Sequence, residues 1–508
     1  MNSGEVIVLD EPQLIFGNDQ RLVDPRDGLS LFGPWDSDRP GQPRSLSYGI
    51  VGTSEGIQAF SAWAKLLHGP VLNDIVEGKD IETTDVLWPP FPGFEAATGA
   101  VLPEKPAWGR EIDRGNLDEL SRHPDPHLRA AGVVGAFYEA LRIGNARDDE
   151  IRVLFCIVPE FIWKRCRPNS VVAKAEAMGS KASRSVIHDR KKGQADMFET
   201  ATDFDAYQFS VDFRRQLKAK AMEFRAPIQI IRESTLRLTN DRDFGDRDLS
   251  PVSDRAWNMT ATAYYKAGGK PWKLASARPG VCYLGLAFKR AEQDGSNACC
   301  AAQMFLDSGD GIVFLGEFGP WYSRDTKQFH LTRQAAKNLL AGALQTYRDQ
   351  EGGPLTEIFI HAGSEVSAAE FDGFRDACPP NVKLVAVRIR QDSRGVRLFR
   401  NGSRPVLRGT FLKLSDTSGL LWTNGFKERI RTYDGWEVPV PQRISVLHGQ
   451  ADLKQVARDV LSLTKLNYNA CKLGDSMPVT VHFSDAVGEI LVNNPKTQKP
   501  KPNFKYYI

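Results

Sequence analysis

The chain has 508 residues, of which 41% are hydrophobic and 25% charged, and its formal net charge is +3. This length exceeds one ordinary domain, and the composition is typical of a globular protein, which excludes disordered and fibrous classes. No stretch approaches the ~20 apolar residues that span a bilayer, the first residues do not resemble a signal peptide, and no CxxC pair is present. We therefore expect a reduced, cytoplasmic protein without a membrane partner or a zinc ribbon.

The N-terminal third of the chain shows few regular patterns. Residues 1–45 are rich in Gly, Pro and Asp with short apolar stretches, and they predict strands and loops packed on the rest of the chain. Residues 69–130 contain eight prolines, which predicts mostly irregular structure.

From residue 151 onwards the pattern becomes regular. Residues 151–158 form a nearly continuous apolar run, typical of a buried parallel strand, and a second strand is predicted at 228–231. Two apolar stripes at helical spacing predict helices, the second of which Gly268 and Gly269 can cap. The stripes comprise Phe213, Leu217, Ala221 and Phe224, then Trp257, Ala261 and Tyr264. Alternating strands and helices predict an open parallel α/β domain.

After Trp272 the order of elements changes. Three strands separated by turns rich in Asp, Gly and Ser predict an antiparallel meander, and helices and strands then alternate. Ser367 and Glu370 form a capping box that opens the second of these helices. The strands are predicted at 281–288, 301–306, 311–316, 357–361 and 384–389, and the long helix at 331–348. This is the order of elements in RNase H-like folds.

Basic residues cluster at several places although the net charge is small. Each cluster taken alone is more often a solvated surface than a binding site. Together they favour a polyanionic partner, because nucleic-acid binding requires local rather than total charge. The clusters are Lys164–Arg167, Arg190–Lys192, Arg214–Lys220 and Lys496–Lys505.

Several local motifs identify a family resemblance that covers essentially the whole chain. Residues 11–17, 24–29, 31–34 and 91–96 resemble the start of short prokaryotic Argonautes. An α/β domain followed by an RNase H-like domain is also the layout of the MID and PIWI halves of Argonautes. The resemblance implies an N-terminal segment 1–45, a Rossmann-like MID domain 46–272, and a PIWI domain 273–508 with a C-terminal tail 494–508.

The resemblance also implies a pocket for the 5′ phosphate of a guide strand. Lys218 precedes Gln229 by the family spacing, and Lys266 stands just before a Gly-Gly turn. Arg214 occupies the position where the family often has Tyr or His, and it shares a helix face with Lys218. Arginine and lysine both donate to phosphate, the former bidentately. The alternative is a basic solvated helix beside a glutamine on a strand.

The apolar and aromatic finish at 504–508 differs from the polar tails that usually remain disordered. In Argonautes the C-terminal carboxylate reaches into the MID pocket, where a divalent cation bridges it to the guide phosphates. The resemblance therefore implies a Mg²⁺ ion held by Ile508 and Gln229. The alternative is a tail that packs on the surface.

The resemblance implies no cleavage by this chain. Slicing Argonautes hold two metal ions with a carboxylate tetrad, because in-line phosphoryl transfer needs both the attacking and the leaving oxygen to be held in place. Ala287 and Ala362 stand at two of the aspartate positions, and Asp485 matches the last member. Two alternatives stay open: a guided nuclease whose site is completed by a carboxylate elsewhere, and an interaction protein that kept only the fold.

A guide-binding Argonaute without slicing must signal through another protein. Short Argonautes work with a partner that carries an APAZ domain and an effector, either a NAD-degrading TIR or sirtuin-like domain or a nuclease. The resemblance therefore implies a 5′-phosphorylated RNA guide, a single-stranded DNA target from an invader, and an APAZ-containing effector in trans. It also implies oligomers on activation and a role in antiviral defence through abortive infection. The NAD-degrading effector is the principal expectation and a DNase effector is the alternative.

Overall fold

The computed structural model describes residues 5–73, 87–148, 150–173, 175–178, 206–207, 209–238, 249–290, 298–305, 311–323, 328–349, 353–428, 438–491 and 501–508. Helices in this part of the chain are α1 (Pro25–Phe32), α2 (Ser54–Leu67), α3 (Phe94–Thr98), α4 (Arg114–Ser121), α5 (Pro126–Asn145), α6 (Glu160–Arg165), α7 (Phe213–Lys220), α8 (Val252–Lys266), α9 (Arg333–Asp349), α10 (Ala368–Ala377), α11 (Leu453–Leu463) and α12 (Val479–Leu491).

Strands in the same residues are β1 (Val6–Val8), β2 (Leu14–Ile15), β3 (Arg21–Leu22), β4 (Tyr48–Gly52), β5 (Trp108–Glu111), β6 (Val153–Val158), β7 (Ile228–Arg232), β8 (Lys273–Leu274), β9 (Val281–Arg290), β10 (Ala298–Phe305), β11 (Gly311–Gly319), β12 (Tyr322–Ser323), β13 (Gln328–Phe329), β14 (Glu357–Ala362), β15 (Lys383–Gln391), β16 (Thr410–Lys413), β17 (Ser418–Leu421) and β18 (Gln442–His448). A 3₁₀ turn spans Phe504–Tyr506. No helix among the described residues is both long and apolar enough to cross a membrane.

A four-stranded parallel sheet with the strand order β5-β4-β6-β7 forms the centre of the first α/β unit. All six residues of β6 are buried, which explains its continuous apolar sequence, because helices cover both faces of a parallel sheet. Helices α2 and α8 contribute to the core on one face, and α5 and α7 to the core on the other. The predicted α/β arrangement is confirmed.

A nine-stranded mixed sheet in the order β1-β16-β17-β18-β15-β14-β9-β10-β11 carries the second half of the chain. The meander β9-β10-β11 is antiparallel, whereas β14 runs parallel to both β9 and β15. Helices α9 and α10 pack on one face, and α11 and α12 on the other. The capping box of Ser367 and Glu370 is formed at the start of α10. The predicted RNase H-like order of elements is therefore confirmed.

The N-terminal residues pack on both halves of the chain. Strand β1 forms one edge of the nine-stranded sheet by pairing with β16, and β2 pairs with β8. The Arg26 guanidinium forms a buried ion pair with Asp254 on α8. The sequence-based expectation of short strands packed on another part of the molecule is confirmed.

The described part of 69–130 is mostly irregular, as predicted, but it also contains α3, β5, α4 and the start of α5, which were not predicted. The start of α5 shows why the prolines concealed a helix. Pro126 stands at the first position of α5, where a missing N–H costs nothing, and Asp125 caps that helix by accepting from the backbone N–H groups of His127 and Leu128. A proline thus marks where a helix begins here and does not interrupt one.

Candidate functional site

Helix α7 presents two cations on one face. The Asp212 side chain caps the helix by accepting from the Arg215 N–H at 3.1 Å, and Phe213 and Leu217 bury the opposite stripe against the core. Arg214 and Lys218 lie one turn apart on the remaining face. The Arg214 side chain is half-buried, whereas Lys218 is only 3% exposed.

Lys266 is the last residue of α8 and is fully buried. The helix ends because Gly268 adopts a φ of 102°, and the Gly268 and Gly269 N–H groups donate to the carbonyls of Tyr265 and Tyr264. The Lys266 ammonium donates to the Ile228 carbonyl at 2.7 Å and to a backbone oxygen of Ile508. The Gly-Gly turn therefore fixes where α8 ends and, with it, the position of the Lys266 side chain.

The segment 504–508 reaches the two lysines from the second half of the chain. Phe504 packs between Phe305 and Phe483, with ring centroids 5.6 and 5.2 Å away. The Tyr507 carbonyl accepts from the Lys218 ammonium at 2.9 Å. Tyr507 and Ile508 are buried, so the tail enters the site and does not lie on the surface.

The electrostatics of the cluster favour an anion. Burial, together with Arg214 and Lys266, lowers the pKa of Lys218 well below its usual value. Burial, with Arg214 as a further cause, lowers the pKa of Lys266 to about 7. Ion pairs within the described residues do not include either ammonium, and the hydrogen-bond acceptors observed for them are backbone oxygens. An added anion would offset this unfavourable concentration of positive charge.

A cavity of about 490 Å³ opens beside this cluster, and both Arg214 and Gln229 line it. Gln229 lies on β7 directly after Ile228, and its side-chain amide makes one long contact, 3.5 Å from its Nε2 to the Ile230 carbonyl. Part of the wall is apolar and includes Phe60, Phe94, Phe155 and Met259. The four residues predicted from sequence are thus distributed between the cavity wall and the adjacent buried cluster.

Two further residues of the cavity wall were not identified from sequence. Trp163 and Arg232 both line it, and the Arg232 guanidinium lies 4.9 Å from the centre of a Trp163 ring. Arg167 lies 4.5 Å from Trp163, and Glu160 pairs with Arg232. The basic cluster at 164–167 was the available signal, although its spacing does not indicate that a tryptophan beside it would face a cavity.

The oxygen donors near the lysines are compatible with a hard divalent cation. Ile508 offers a backbone oxygen and Gln229 an amide oxygen, and Mg²⁺ prefers such ligands in small numbers together with phosphates and water. Among the described residues, no group of three or more His, Cys, Asp or Glu side chains could hold a metal ion. Phosphate oxygens and water would therefore supply the remaining ligands of such a metal site.

Ala287 and Ala362, which were predicted to stand at two aspartate positions of one tetrad, lie on neighbouring strands but face opposite sides of the sheet, so they do not both line a single metal site. Ala362 pairs with Leu286 in the parallel register, so Ala287 is one step further and points the other way. A Cβ built on Gly488 of α12 would lie 3.7 Å from the Ala287 Cβ, so this helix covers that position. Asp485 lies on α12, and its side chain is outside the described ones.

His361 lies between these positions and is buried. Its Nδ1 is 2.9 Å from the Thr480 hydroxyl, and burial lowers the pKa of its ring to about 3. A neutral imidazole packed between β14 and α12 stabilises their contact.

Comparison with known proteins shows similarity to Argonautes. No protein-family model matches the sequence. The curated Argonaute of Aquifex aeolicus (strain VF5) is 22% identical over 257 residues, which are 49% of this chain and 33% of that protein. The chain thus covers about a third of this curated relative.

Solved Argonaute structures match the fold over almost the whole chain. Clostridium butyricum Argonaute, bound to a guide DNA and a 19-mer target DNA, matches with a TM-score of 0.63 and 13% identity over 100% of this chain and 55% of its own. A. aeolicus Argonaute matches with a TM-score of 0.55 and 16% identity over 98% and 55%. Drosophila Piwi matches with a TM-score of 0.56 and 12% identity over 99% and 56%. The fold is therefore Argonaute-like, and the chain spans little more than half the length of these neighbours.

Proposed function

We propose that this Argonaute-like chain binds the 5′-phosphorylated end of a guide nucleic acid through Arg214, Lys218, Gln229 and Lys266. The observation that carries the proposal is the pair of buried lysines whose observed acceptors are backbone oxygens. Burying two ammonium groups without side-chain carboxylate partners is costly, and a fold retains such groups where a ligand supplies further negative charge. A terminal phosphate has the charge and the acceptor oxygens that this arrangement lacks.

Each residue of the pocket has a distinct task. Arg214, at the cavity wall, can bind two phosphate oxygens with its planar guanidinium, while Lys218 and Lys266 act as point charges behind them. The backbone oxygens of Tyr507 and Ile508 hold the two ammonium groups in position. The cavity next to Gln229 has both aromatic and polar side chains in its wall, which suits the base and sugar of the first nucleotide.

A Mg²⁺ ion fits this scheme as a bridge. Ile508 and Gln229 would hold it, and when bound it would neutralise the repulsion between guide phosphates and nearby oxygens. We expect chelation of divalent metal to weaken the binding of 5′-phosphorylated guides. Gln229→Leu should reduce this sensitivity to the chelator, whereas an unchanged chelator effect in that variant would exclude Gln229 as a ligand.

The finer part of the proposal is that the chain recognises a target without cutting it. The guide would be RNA and the target single-stranded DNA, with base pairing reading the sequence and the protein reading the backbone shape, as in other guided systems. Ala287, on the face covered by α12, and Ala362, on the other face, leave both of these strand positions without a carboxylate, and this supports the proposed absence of slicing. An APAZ-containing partner would then supply the response, with a TIR or sirtuin-like NAD-degrading domain preferred over a nuclease, in defence against invading DNA.

The test compares guides that differ only in the terminal phosphate. Lys218→Met combined with Lys266→Met should weaken the binding of 5′-phosphorylated guides on the order of a hundredfold or more, because each charge-assisted hydrogen bond contributes roughly 1.5–3 kcal/mol. Binding of 5′-hydroxyl guides should change little. Methionine fills the volume of the lysine stem, and thermal unfolding of each variant checks that the fold persists.

Lys454→Met serves as the control, since Lys454 is exposed on α11. Equal weakening of both guide types in the double variant would mean that these lysines contact the backbone generally, and the proposed 5′-end pocket would be wrong.

A further inference from the structure

A basic segment connects β15 to β16 and lies apart from the residues of the pocket. Residues 393–415 contain five arginines and one lysine but no acidic residue. Arg408 is buried in an ion pair with Glu11, whereas Arg394, Arg397, Arg400 and Arg404 are exposed. In the middle of this exposed segment, Phe399 is 75% exposed. We call residues 394–404 the basic loop.

Three of the four exposed arginines, Arg397, Arg400 and Arg404, have no acidic partner among the described residues, whereas Arg394 interacts electrostatically with Asp392. None of the ion pairs between described residues involves its four exposed arginines. The nearest acid before the loop, Asp392, is occupied by Arg443, with Oδ1 3.0 Å from the Arg443 Nε. The loop therefore presents uncompensated positive charge on both sides of an exposed aromatic ring.

The basic loop is anchored to the body of the protein. Val396 and Leu398 pack against a small apolar cluster that contains Trp422. The Arg400 and Arg404 guanidinium groups lie 5.2 and 5.3 Å from the centre of the Phe426 ring. Anchoring on both sides of Phe399 reduces the conformational entropy that a ligand would otherwise have to overcome.

Topology places the basic loop at the carboxyl edge of the parallel strands. Strands β9, β14 and β15 run parallel, and the loop begins after the last residue of β15. Arg388 of β15 is level with Ala362 at the end of β14. Ligands of α/β folds approach this edge of the sheet, because the loops that follow the strands meet there.

We infer that the basic loop binds the sugar–phosphate backbone of single-stranded nucleic acid and that Phe399 stacks on an unpaired base. An exposed aromatic side chain flanked by arginines on an accessible loop is the combination that sequence-independent single-strand binding uses. The inference rests on the proposal that the chain binds nucleic acid, but it concerns a second contact that does not depend on a 5′ phosphate. The strand can be a guide or a target, since both have the same backbone chemistry.

The experiment measures the salt dependence of binding to 5′-hydroxyl single strands of RNA and DNA. Arg397→Gln with Arg400→Gln should reduce the slope of log K against log salt by about 1.4, which is 0.7 for each lost phosphate contact. Phe399→Ala should weaken single-strand binding on the order of tenfold and leave duplex binding unchanged. Arg397 and Phe399 are exposed, and because Arg400 also lies over the Phe426 ring, thermal unfolding of the variants checks that the fold persists.

Two arms identify the strand that is bound. One titrates a free guide, and the other titrates a partly complementary single strand into protein already loaded with a guide. A slope change in the first arm assigns the contact to the guide, and a change only in the second assigns it to the target. Arg142→Gln with Arg375→Gln removes the same charge from exposed positions on α5 and α10 and should leave both slopes unchanged.

The inference is wrong if the loop variants keep the wild-type slope or change it only as much as the charge-matched control. It is also wrong if they lose binding to phosphatidylserine vesicles and keep nucleic-acid binding, since the loop would then serve a membrane surface. The lysine pair is measured separately. In one outcome, the lysine double variant loses the preference for 5′-phosphorylated guides while the loop variants keep the wild-type salt dependence. That result would support the proposed function and overturn this inference alone.

Discussion

At the scale of single residues, the important feature is a pair of lysines that the fold buries without side-chain carboxylate partners among the described residues. Desolvation favours the neutral amine, and this explains why Lys266 can be fully buried although its acceptors are the backbone oxygens of Ile228 and Ile508. An ammonium with a lowered pKa responds strongly to an added anion. The protonation state of Lys266 should therefore report occupancy of the pocket.

The first prediction concerns the pH dependence of guide binding. Burial lowers the pKa of Lys266 to about 7, and a phosphate dianion would raise it again. Between about pH 7.5 and about pH 9, binding then takes up a proton, and affinity for 5′-phosphorylated guides should fall by up to about tenfold per pH unit. The phosphate itself is fully ionised in this range. Titrations at several pH values measure the effect.

Lys266→Met provides the control, because it should remove this pH dependence. In the free protein the sign is opposite. The unfolded chain keeps the proton up to a pKa of 10.5, so stability should rise as pH increases above about 7, and this rise should also disappear in the variant. A pH dependence of guide binding that persists in Lys266→Met would contradict the assignment.

At the scale of elements, the 3₁₀ turn Phe504–Tyr506 links the nine-stranded sheet to the pocket. Its approach is fixed by a hydrogen bond from the Val313 N–H to the Pro502 carbonyl at 2.7 Å and by an isolated bridge between Ile312 and Asn503. Phe504 then fills a space between rings of the second half of the chain. Packing far from the lysines therefore decides where the Tyr507 and Ile508 oxygens lie.

The second prediction follows from this link. Phe504→Ala should destabilise the protein by about 3 kcal/mol, as expected for a buried phenylalanine, and lower its unfolding temperature. It should also weaken the binding of 5′-phosphorylated guides more than that of 5′-hydroxyl guides, because the backbone oxygens of Tyr507 and Ile508 lose their fixed positions. Thermal unfolding and the paired guide titrations measure the two effects.

Tyr506→Phe is a matched control on the same turn. It removes only the hydrogen bond from the Tyr506 hydroxyl to the Arg225 carbonyl, which is exposed. If Phe504→Ala destabilised the chain but kept the full preference for a 5′ phosphate, the turn would be a packing element without a role in the pocket.

At the scale of the whole molecule, the N-terminal residues hold the two halves together. Glu11 pairs with both Arg408 and Lys465, each of which is almost fully buried, while Arg26 pairs with Asp254 in the other half. Burial would raise the pKa of Glu11, but Arg408 and Lys465 more than compensate and keep the pKa of this carboxyl below its usual value. The relative position of the lysines and the tail thus depends on charges contributed by the first residues.

The third prediction is that Glu11→Ala lowers the free energy of unfolding by about 3 kcal/mol, because breaking a buried ion pair leaves its partners uncompensated. Urea denaturation at neutral pH measures this difference. The lowered carboxyl pKa means that the stabilisation is present at neutral pH and is lost as the pH falls below the usual value for a glutamate.

Glu104→Ala is the control for this substitution, since Glu104 is exposed and its side chain should contribute less than about 0.5 kcal/mol. Similar unfolding curves for the two variants would show that the Glu11 pairs do not hold the N-terminal segment in place.

The fourth prediction concerns cleavage. Protein incubated with a guide, a complementary target and Mg²⁺ or Mn²⁺ should not cut the target, and Ala287→Asp with Ala362→Asp should not introduce cutting. The two positions face opposite sides of the sheet, and α12 covers the first, so the new carboxylates would not share a metal ion. A guide-dependent cut at one fixed position that Asp485→Ala abolishes would contradict this expectation.

The sequence by itself determined many of the elements between residues 151 and 389 and their order, because hydrophobic periodicity and capping residues act over short distances. The runs around β6 and β9, the capping box at Ser367 and the Gly268-Gly269 turn were all readable in this way. The spacing of Lys218, Gln229 and Lys266 indicated the pocket only through the family resemblance. The start of α5 at Pro126 was not predicted, since a proline in the first turn of a helix and a proline in a loop look alike in sequence.

Only the tertiary structure decided which distant groups meet. Lys218 reaches the Tyr507 carbonyl across 289 positions of sequence, and Lys266 reaches Ile508 across 242. Such contacts depend on how two sheets and the residues that join them pack, and no local pattern encodes that geometry. For the same reason, the place of Trp163 at the cavity wall and the exposure of Phe399 on the basic loop emerged only from the folded chain.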